Sequence, residues 1–397
     1  MTKESFVTLL GAGASVDAGG HTSVGMVDRV ASLLQHQNDM AIRRIYEFVV
    51  AGCSMRSAWM EAGSANIEDV ANAVAALYDR RYNELAPFVS GWHPFVEGLL
   101  SKRPTSHRAV DEFASMLQRE FVKASGGQTD TISMDWYSYA DKILEFSHEQ
   151  SLIEPALERL RHRLTGLVAQ VLCNSINKEL VGYLAGLADL PGPFNDTQAV
   201  IATLNYDNAV EYALAGRKPP YRDALEGWRP GADIDCNGDG PLLLKLHGSV
   251  NWRRHNEHQI TREEPGEVVD RPEIIFGGHN KMRTDGPYLP IMWAWRRALA
   301  RCSTLIVVGY SFSDGHINTL IDEWLSAKRT KGPPRSVHVL TYAYNEASKF
   351  EKRLRRAHEG DLSAAWGSDV RVSVRAGVKA KDKVPHLVES LLGEGAL

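Results

Sequence analysis

Five apolar residues, Phe6 to Leu10, break without transition into Gly11-Ala12-Gly13-Ala14-Ser15. A short apolar run bounded by glycine reads as a strand buried on both faces, and therefore as part of a parallel sheet covered by helices. Gly11 and Gly13 have no side chain, so the backbone can turn tightly and bring its N–H groups close to a diphosphate. Ser15 and Asp17 stand where the first turn of a following helix is expected, whose unpaired donors and partial positive charge also suit an anion. Taken alone, the stretch also fits a glycine-rich turn of any α/β domain.

Two common phosphate motifs are excluded. The dehydrogenase fingerprint needs a third glycine where this chain has Val16, and an acidic residue about 20 positions further on at the end of a second strand. Asp28 falls inside Val24 to Leu34, whose pattern is helical. A Gly-Lys-Ser/Thr sequence is absent, so the loop is not a P-loop.

Four later runs repeat the strand pattern: Ala199 to Leu204, Leu242 to Leu246, Thr304 to Val308 and Ser336 to Leu340. With the first run they predict at least five strands of a doubly wound sheet. From about residue 36 to 195 the texture changes to amphipathic stretches such as Ile67 to Tyr82 and Glu154 to Val171. This predicts a helical insertion over 36–195, closed by Pro191-Gly192-Pro193, between core segments 1–35 and 196–397. Loops are expected over Gly91 to Pro104 and Ser125 to Trp136. One of Trp293 and Trp295 is expected to pack in the core.

With 397 residues, 44% hydrophobic and 24% charged, the chain can bury a large globular core. Its net charge of −4 carries no footprint of a nucleic-acid or membrane surface, so neither partner is expected. The basic run Lys352-Arg353-Leu354-Arg355-Arg356 reads as a solvated helix face, with contact to a partner or nucleic acid as the alternative. Cys53, Cys173, Cys236 and Cys302 form no Cys-x-x-Cys pair, which argues against a zinc ribbon or disulfide framework and for thiols in a reducing cytoplasm. The first strand follows the N-terminus with no room for a signal peptide, and no apolar stretch reaches the length of a membrane span.

Open α/β sheets bind ligands at the carboxyl ends of their strands. After the second run stand Thr203, Asn205, Asp207 and Asn208, where an amide and a carboxylate two residues apart could face one ligand, or Asn205 or Asp207 could simply cap a helix. After the third stand His247-Gly248-Ser249, with an imidazole suited to act as a general base or to sit as an ordinary buried group. After the fourth comes Gly309-Tyr310-Ser311-Phe312-Ser313-Asp314-Gly315-His316-Ile317-Asn318, a close-approach glycine followed by hydroxyls at a helix start.

In this order these residues resemble the sirtuin-like family. Gly11 to Ser15 with Ala18-Gly19 looks like its NAD loop, Thr203 to Asp207 like its Thr-Gln-Asn-Ile-Asp segment, His247-Gly248 like its His-Gly, and Gly309-Tyr310-Ser311 like its Gly-Thr-Ser segment. Val307 to Asp314 with Ile317-Asn318 is closer still to the divergent bacterial branch found in antiphage defence, including the HerA-associated type. The resemblance covers residues 5–35 and 197–345. Gly20-His21-Thr22-Ser23 stands where protein deacylases carry Ile-Pro-Asp-Phe-Arg, and the zinc ribbon is missing, so the peptide-docking parts look replaced by helices.

The resemblance implies an α/β fold with a Rossmann-like parallel sheet and NAD as substrate, with no metal. It casts Asn205 as positioning the ribose or a water, Asp207 as contacting the carboxamide and His247 as the base. Gly11, Ala12, Gly13 and Ser15 would hold the diphosphate, with Thr203 beside them and Gly309 and Ser311 toward the adenosine. The function so implied is an NAD glycohydrolase acting as an abortive-infection effector. A protein deacylase or ADP-ribosyltransferase, or a non-catalytic nucleotide sensor, would use the same site. A homo-oligomer and a separate sensor, a HerA-type ATPase or an Argonaute-like protein, are the expected partners.

Overall fold

The computed structural model describes residues 4–59, 65–79, 115, 119, 150–226, 228–256, 259–276, 283–327, 333–342 and 370–394. The loops expected at Gly91 to Pro104 and Ser125 to Trp136, and the basic run at 352–356, lie outside these residues. The chain divides into two compact units, Met1–Thr22 with Ala169–Ile275 and His279–Leu397, and Ser23–Val168 with Phe276–Gly278.

The first unit is built on a seven-stranded parallel sheet. Its strands are β1 (Phe6–Leu10), β2 (Val200–Thr203), β3 (Arg222–Asp223), β4 (Leu242–Lys245), β8 (Thr304–Val308), β9 (Arg335–Leu340) and β10 (Val370–Arg375), in the order β10-β9-β8-β1-β2-β4-β3. β1 is central: Leu9 stands in register with Ala202 of β2 on one side and Val307 of β8 on the other. Three further strands, β5 (Gly248–Asn256), β6 (Gln259–Arg262) and β7 (Pro272–Ile274), form a separate antiparallel sheet in the order β6-β5-β7.

The sheet is covered on both faces, as its continuous apolar strands require. Alternate residues point to opposite sides. Val7, Leu9, Ala202, Leu244 and Val307 pack with the helices Tyr288–Arg301 and Gly315–Ser326, while Phe6, Leu10, Ile201, Leu243 and Val308 pack with the 3-10 helix Val181–Asp189 and the helix Ala380–Glu394. Each such side chain contributes roughly 1.5–3 kcal/mol of burial, so no face of this sheet tolerates a polar register slip. Trp295 is fully buried in the first layer, whereas Trp293, two residues away on the same helix, is 48% exposed.

The second unit is helical in its described parts: Gly25–Gln35, Met40–Trp59, Ile67–Asp79 and the first part of Gln150–Ser175. Tyr46 is buried there and donates its hydroxyl to the Val27 carbonyl at 2.8 Å.

One local expectation is corrected. No α-helix starts at Ser15: residues Ala12–Ala14 and Val16–Ala18 form two 3-10 turns, and the first α-helix begins at Gly25. Gly19 ends the second turn with φ +93°, and a Cβ there would sit 2.3 Å from the Ser175 carbonyl oxygen. Asp17 instead accepts from the Lys381 N–H in the first turn of the helix Ala380–Glu394.

The glycines of two loops set how closely the strand ends pack. Gly309 has φ +62°, and a Cβ on it would lie 2.2 Å from the Ala14 nitrogen; a Cβ on Gly11 would lie 2.6 Å from the Gly309 oxygen. Gly309→Ala therefore combines a left-handed backbone with a backbone clash and is expected to cost more than about 2 kcal/mol. Gly216, at φ +75° with open space around it, is the control: Gly216→Ala should cost roughly 1–2 kcal/mol. Urea midpoints of the two variants check the difference; equal losses would show that the loop contact is slack.

Candidate active site

From β1 the chain runs to β2 and β4 on one side of the sheet and later returns to β8 on the other. The connections diverge at the neighbouring strands β1 and β8, which is where open α/β sheets form a crevice at their carboxyl ends. The two loops that leave them touch through backbone. Gly11 N–H donates to the Val308 carbonyl and Gly13 N–H to the Gly309 carbonyl, both at 2.9 Å. Ala14 N–H donates to Gly11 and Ser15 N–H to Ala12. Thus the N–H groups of Gly11, Gly13, Ala14 and Ser15 are all engaged within the protein, and the glycines first of all permit loop-to-loop contact.

Ser15 ties this loop to the end of β2. Its hydroxyl donates to Asp207 Oδ2 at 2.7 Å and accepts from Asn205 Nδ2 at 3.3 Å. Asp207 Oδ1 accepts from the Ala209 N–H, at the start of the helix Ala209–Ala213. Burial pushes the Asp207 carboxyl up, against the opposing pull of the Lys245 ammonium and the Ser15 hydroxyl. The Asn205 N–H is held by the Thr203 hydroxyl at 3.0 Å. Asn205 is half-buried, so this amide is the member of the cluster with an open side.

His247 follows β4 and is 2% exposed. Its Nε2 lies 3.1 Å from Asp314 Oδ2, and the contact is bent, with both atoms sealed from solvent. Asp314 Oδ1 meanwhile accepts from the N–H groups of His316 and Ile317 and caps the helix Gly315–Ser326. At about 4.8 Å per strand, β4 and β8 are roughly 14 Å apart. The 309–314 segment therefore runs back across the ends of β1 and β2 to bring Asp314 to the histidine. Tyr310 holds this path: its hydroxyl accepts from the Asp314 N–H at 3.1 Å and reaches Asn318 Oδ1 at 3.0 Å, while Asn318 Nδ2 donates to the carbonyl of Phe312, which has φ +53°. Tyr206 lies beside the imidazole, its ring centre 6.4 Å away, with its hydroxyl donating to the Ile275 carbonyl.

Below the cluster is a buried polar network. Lys245 Nζ contacts Glu211 Oε1 at 2.7 Å and donates to the Asp207 carbonyl; the side chains are 0% and 1% exposed. Asn208 Nδ2 donates to the same Glu211 oxygen at 2.9 Å and lies 3.2 Å from Asn251 Oδ1. The Lys245 ammonium thus fixes the turn that carries Asp207. Asp223, on β3, is also buried; desolvation pushes its carboxyl up to about 6, against an N–H bond from Leu225 and the charge of Arg262.

The sequence-predicted residues thus fall at four strand ends. Ser15, Thr203, Asn205 and Asp207 come together, Gly11 and Gly13 meet Gly309, and His247 is set against Asp314. Ser311 bonds Ser313 at 3.0 Å on an exposed stretch of the same loop. Asp314 stood in the sequence only as a member of the run Gly309 to Asn318; its pairing with a histidine 67 positions earlier has no local signal. Lys245 did leave one, as the single charge in the run Leu242 to Leu246. Among the described residues no group of three or more His, Cys, Asp or Glu side chains could hold a metal, and no helix is long and apolar enough to cross a membrane.

Residues 199–368 match a SIR2-like domain. The matched segment contains Thr203, Asn205, Asp207, His247, Gly309, Ser311 and Asp314, and the glycine loop of β1 precedes it. No curated protein matches the chain in sequence. Solved structures similar to it include a Sir2 homologue in complex with NAD (12% identity, 99% of this chain and 91% of that one, TM-score 0.42) and a mutant Sir2 homologue in complex with ADP-ribose (12%, 100% and 95%, 0.38). Another is Sir2Tm bound to a propionylated peptide (12%, 57% and 78%, 0.30).

Two outcomes test the electrostatics of the SIR2-like segment. Lys245→Met leaves Glu211 buried without its cation and should cost about 3–5 kcal/mol, much of which Lys245→Met with Glu211→Leu should restore. Asp223 has a folded-state value near 6, above its ordinary 3.8, so the folded chain binds more protons between these values and loses stability as pH rises through the window. Asp223→Asn should flatten that slope, a change on the order of 2–3 kcal/mol between about pH 3.5 and 6.5 in pH-dependent unfolding curves.

Proposed function

We propose that this protein cleaves the bond between nicotinamide and ribose in NAD with water as nucleophile. The observation that carries this reading is that one parallel sheet sets a half-buried amide, Asn205, after β2 and a buried imidazole–carboxylate pair, His247 and Asp314, after β4 and β8. The match of residues 199–368 to a SIR2-like domain supports NAD as the ligand.

The glycosidic bond of NAD is weakened by its positive pyridinium ring, so the protein has mainly to orient the ribose and manage one proton. Asn205 is placed to hold the ribose or the attacking water. As the C–N electron pair leaves with nicotinamide, water adds to the ribose carbon and its proton passes to His247. The products are nicotinamide, ADP-ribose and one proton. Ser15 and Asp207 keep the Asn205 amide aimed, and Lys245 holds the turn by donating to the Asp207 backbone carbonyl. The resemblance assigns Gly11, Ala12, Gly13, Ser15, Thr203, Gly309 and Ser311 to the diphosphate and adenosine.

The reading extends to physiology through the resemblance to the antiphage branch. NAD removal would limit an infected cell, in a cytoplasmic homo-oligomer controlled by a separate sensor such as a HerA-type ATPase or an Argonaute-like protein.

The test is release of nicotinamide and ADP-ribose from NAD without any acyl peptide, by the purified chain and by the chain with candidate sensors co-expressed. His247→Ala and Asn205→Ala should each lower turnover by about 100- to 10,000-fold. Turnover that appears only with an acyl-lysine or side-chain acceptor would replace the reading with a transferase or deacylase. NAD binding that survives His247→Ala, with no turnover under any of these conditions, would replace it with a nucleotide sensor.

A further inference from the structure

We propose that Asp314 is the positioning residue for His247: it fixes the tautomer in which Nε2 carries the proton toward the carboxylate and leaves Nδ1 for proton traffic with the substrate. The proposal rests on the NAD-cleaving reading of this site. Three observations carry it. The 3.1 Å approach of Nε2 to Asp314 Oδ2 occurs with both residues buried, at 2% and 4% exposure. The other carboxylate oxygen is committed to two N–H groups of the helix it caps, so the side chain cannot rotate away without uncapping that helix. The Tyr310 hydroxyl binds the backbone of Asp314 on both sides, through its N–H and its carbonyl.

An oriented carboxylate does two things for such a base. It selects which ring nitrogen is free, and it stabilises the imidazolium formed when the proton arrives. The helix Gly315–Ser326 thereby becomes part of the site although none of its side chains needs to touch NAD.

Asp314→Asn separates the two jobs of this side chain. Asparagine caps helices as well as aspartate, and the two N–H groups of His316 and Ile317 pin its carbonyl oxygen toward the helix. Its amide NH2 then faces Nε2 and demands an acceptor there, which forces the proton to Nδ1. The experiment compares wild type, Asp314→Asn, Asp314→Ala and His247→Ala by NAD kinetics, thermal unfolding and nitrogen-15 NMR of the histidine rings, with the His247 signals assigned by their loss in His247→Ala.

Expected are a kcat for Asp314→Asn lowered about 100- to 10,000-fold with KM for NAD changed less than about threefold, little change in melting temperature, and transfer of the His247 ring proton from Nε2 to Nδ1. Asp314→Ala should lose the cap as well and melt lower. An unchanged tautomer in Asp314→Asn overturns the proposal whatever the kinetics, and so does a wild-type kcat despite an altered tautomer. If wild type itself fails to turn over NAD, the reaction reading fails, and the tautomer measurement still decides whether Asp314 orients the ring.

Discussion

The close approach of two backbone loops at the ends of β1 and β8 is the constraint on which the rest of the site depends. Without side chains on Gly11, Gly13 and Gly309, the first loop donates two N–H groups to the second and the sheet ends pack at backbone distance. Any Cβ at these positions would push the 309–314 segment outward. That segment has to cross the ends of β1 and β2 for Asp314 to reach His247, so the glycines and the imidazole–carboxylate pair are one device. The same contact anchors the turns of the glycine loop, whose N–H groups are engaged within the protein.

Around this device the polar groups form a hierarchy of burial. Lys245 and Glu211 lie deepest, with almost no exposure, and their mutual attraction offsets the large cost of removing two charges from water. Asp207 is next, held by Ser15, the Ala209 N–H and, through its backbone, Lys245. Asn205 lies outermost and keeps an open side. A deep ion pair is poor for stability compared with apolar packing but rigid in geometry, and rigidity is what a site built on turns needs.

The five strands that formed apolar runs were legible because a strand buried on both faces leaves no choice of residue type. β3, only Arg222–Asp223, escaped because two polar residues carry no period, and β5 because Val250 and Trp252 alternate with the buried polar Ser249 and Asn251 and are followed by Arg253 and Arg254, which pair with Glu263 and Glu273. β10 alternates valine with polar residues over Val370–Arg375 and had a period-two pattern that could have been found. The helix expected at Ser15 was a misreading of cap-forming residues: Asp17 caps a helix, but the one at Ala380, 363 positions later.

By itself the sequence determined the parallel sheet and the polar residues at its strand ends, because burial patterns and turn glycines are local properties. Only the tertiary structure decided which of those residues act on one another. Ser15 with Asn205 and Asp207, Gly13 with Gly309, and His247 with Asp314 are pairs 67 to 296 positions apart, brought together by strand order and loop path. Hydrogen bonds and ion pairs act over a few ångströms in space, and a sequence read without its topology does not contain those distances.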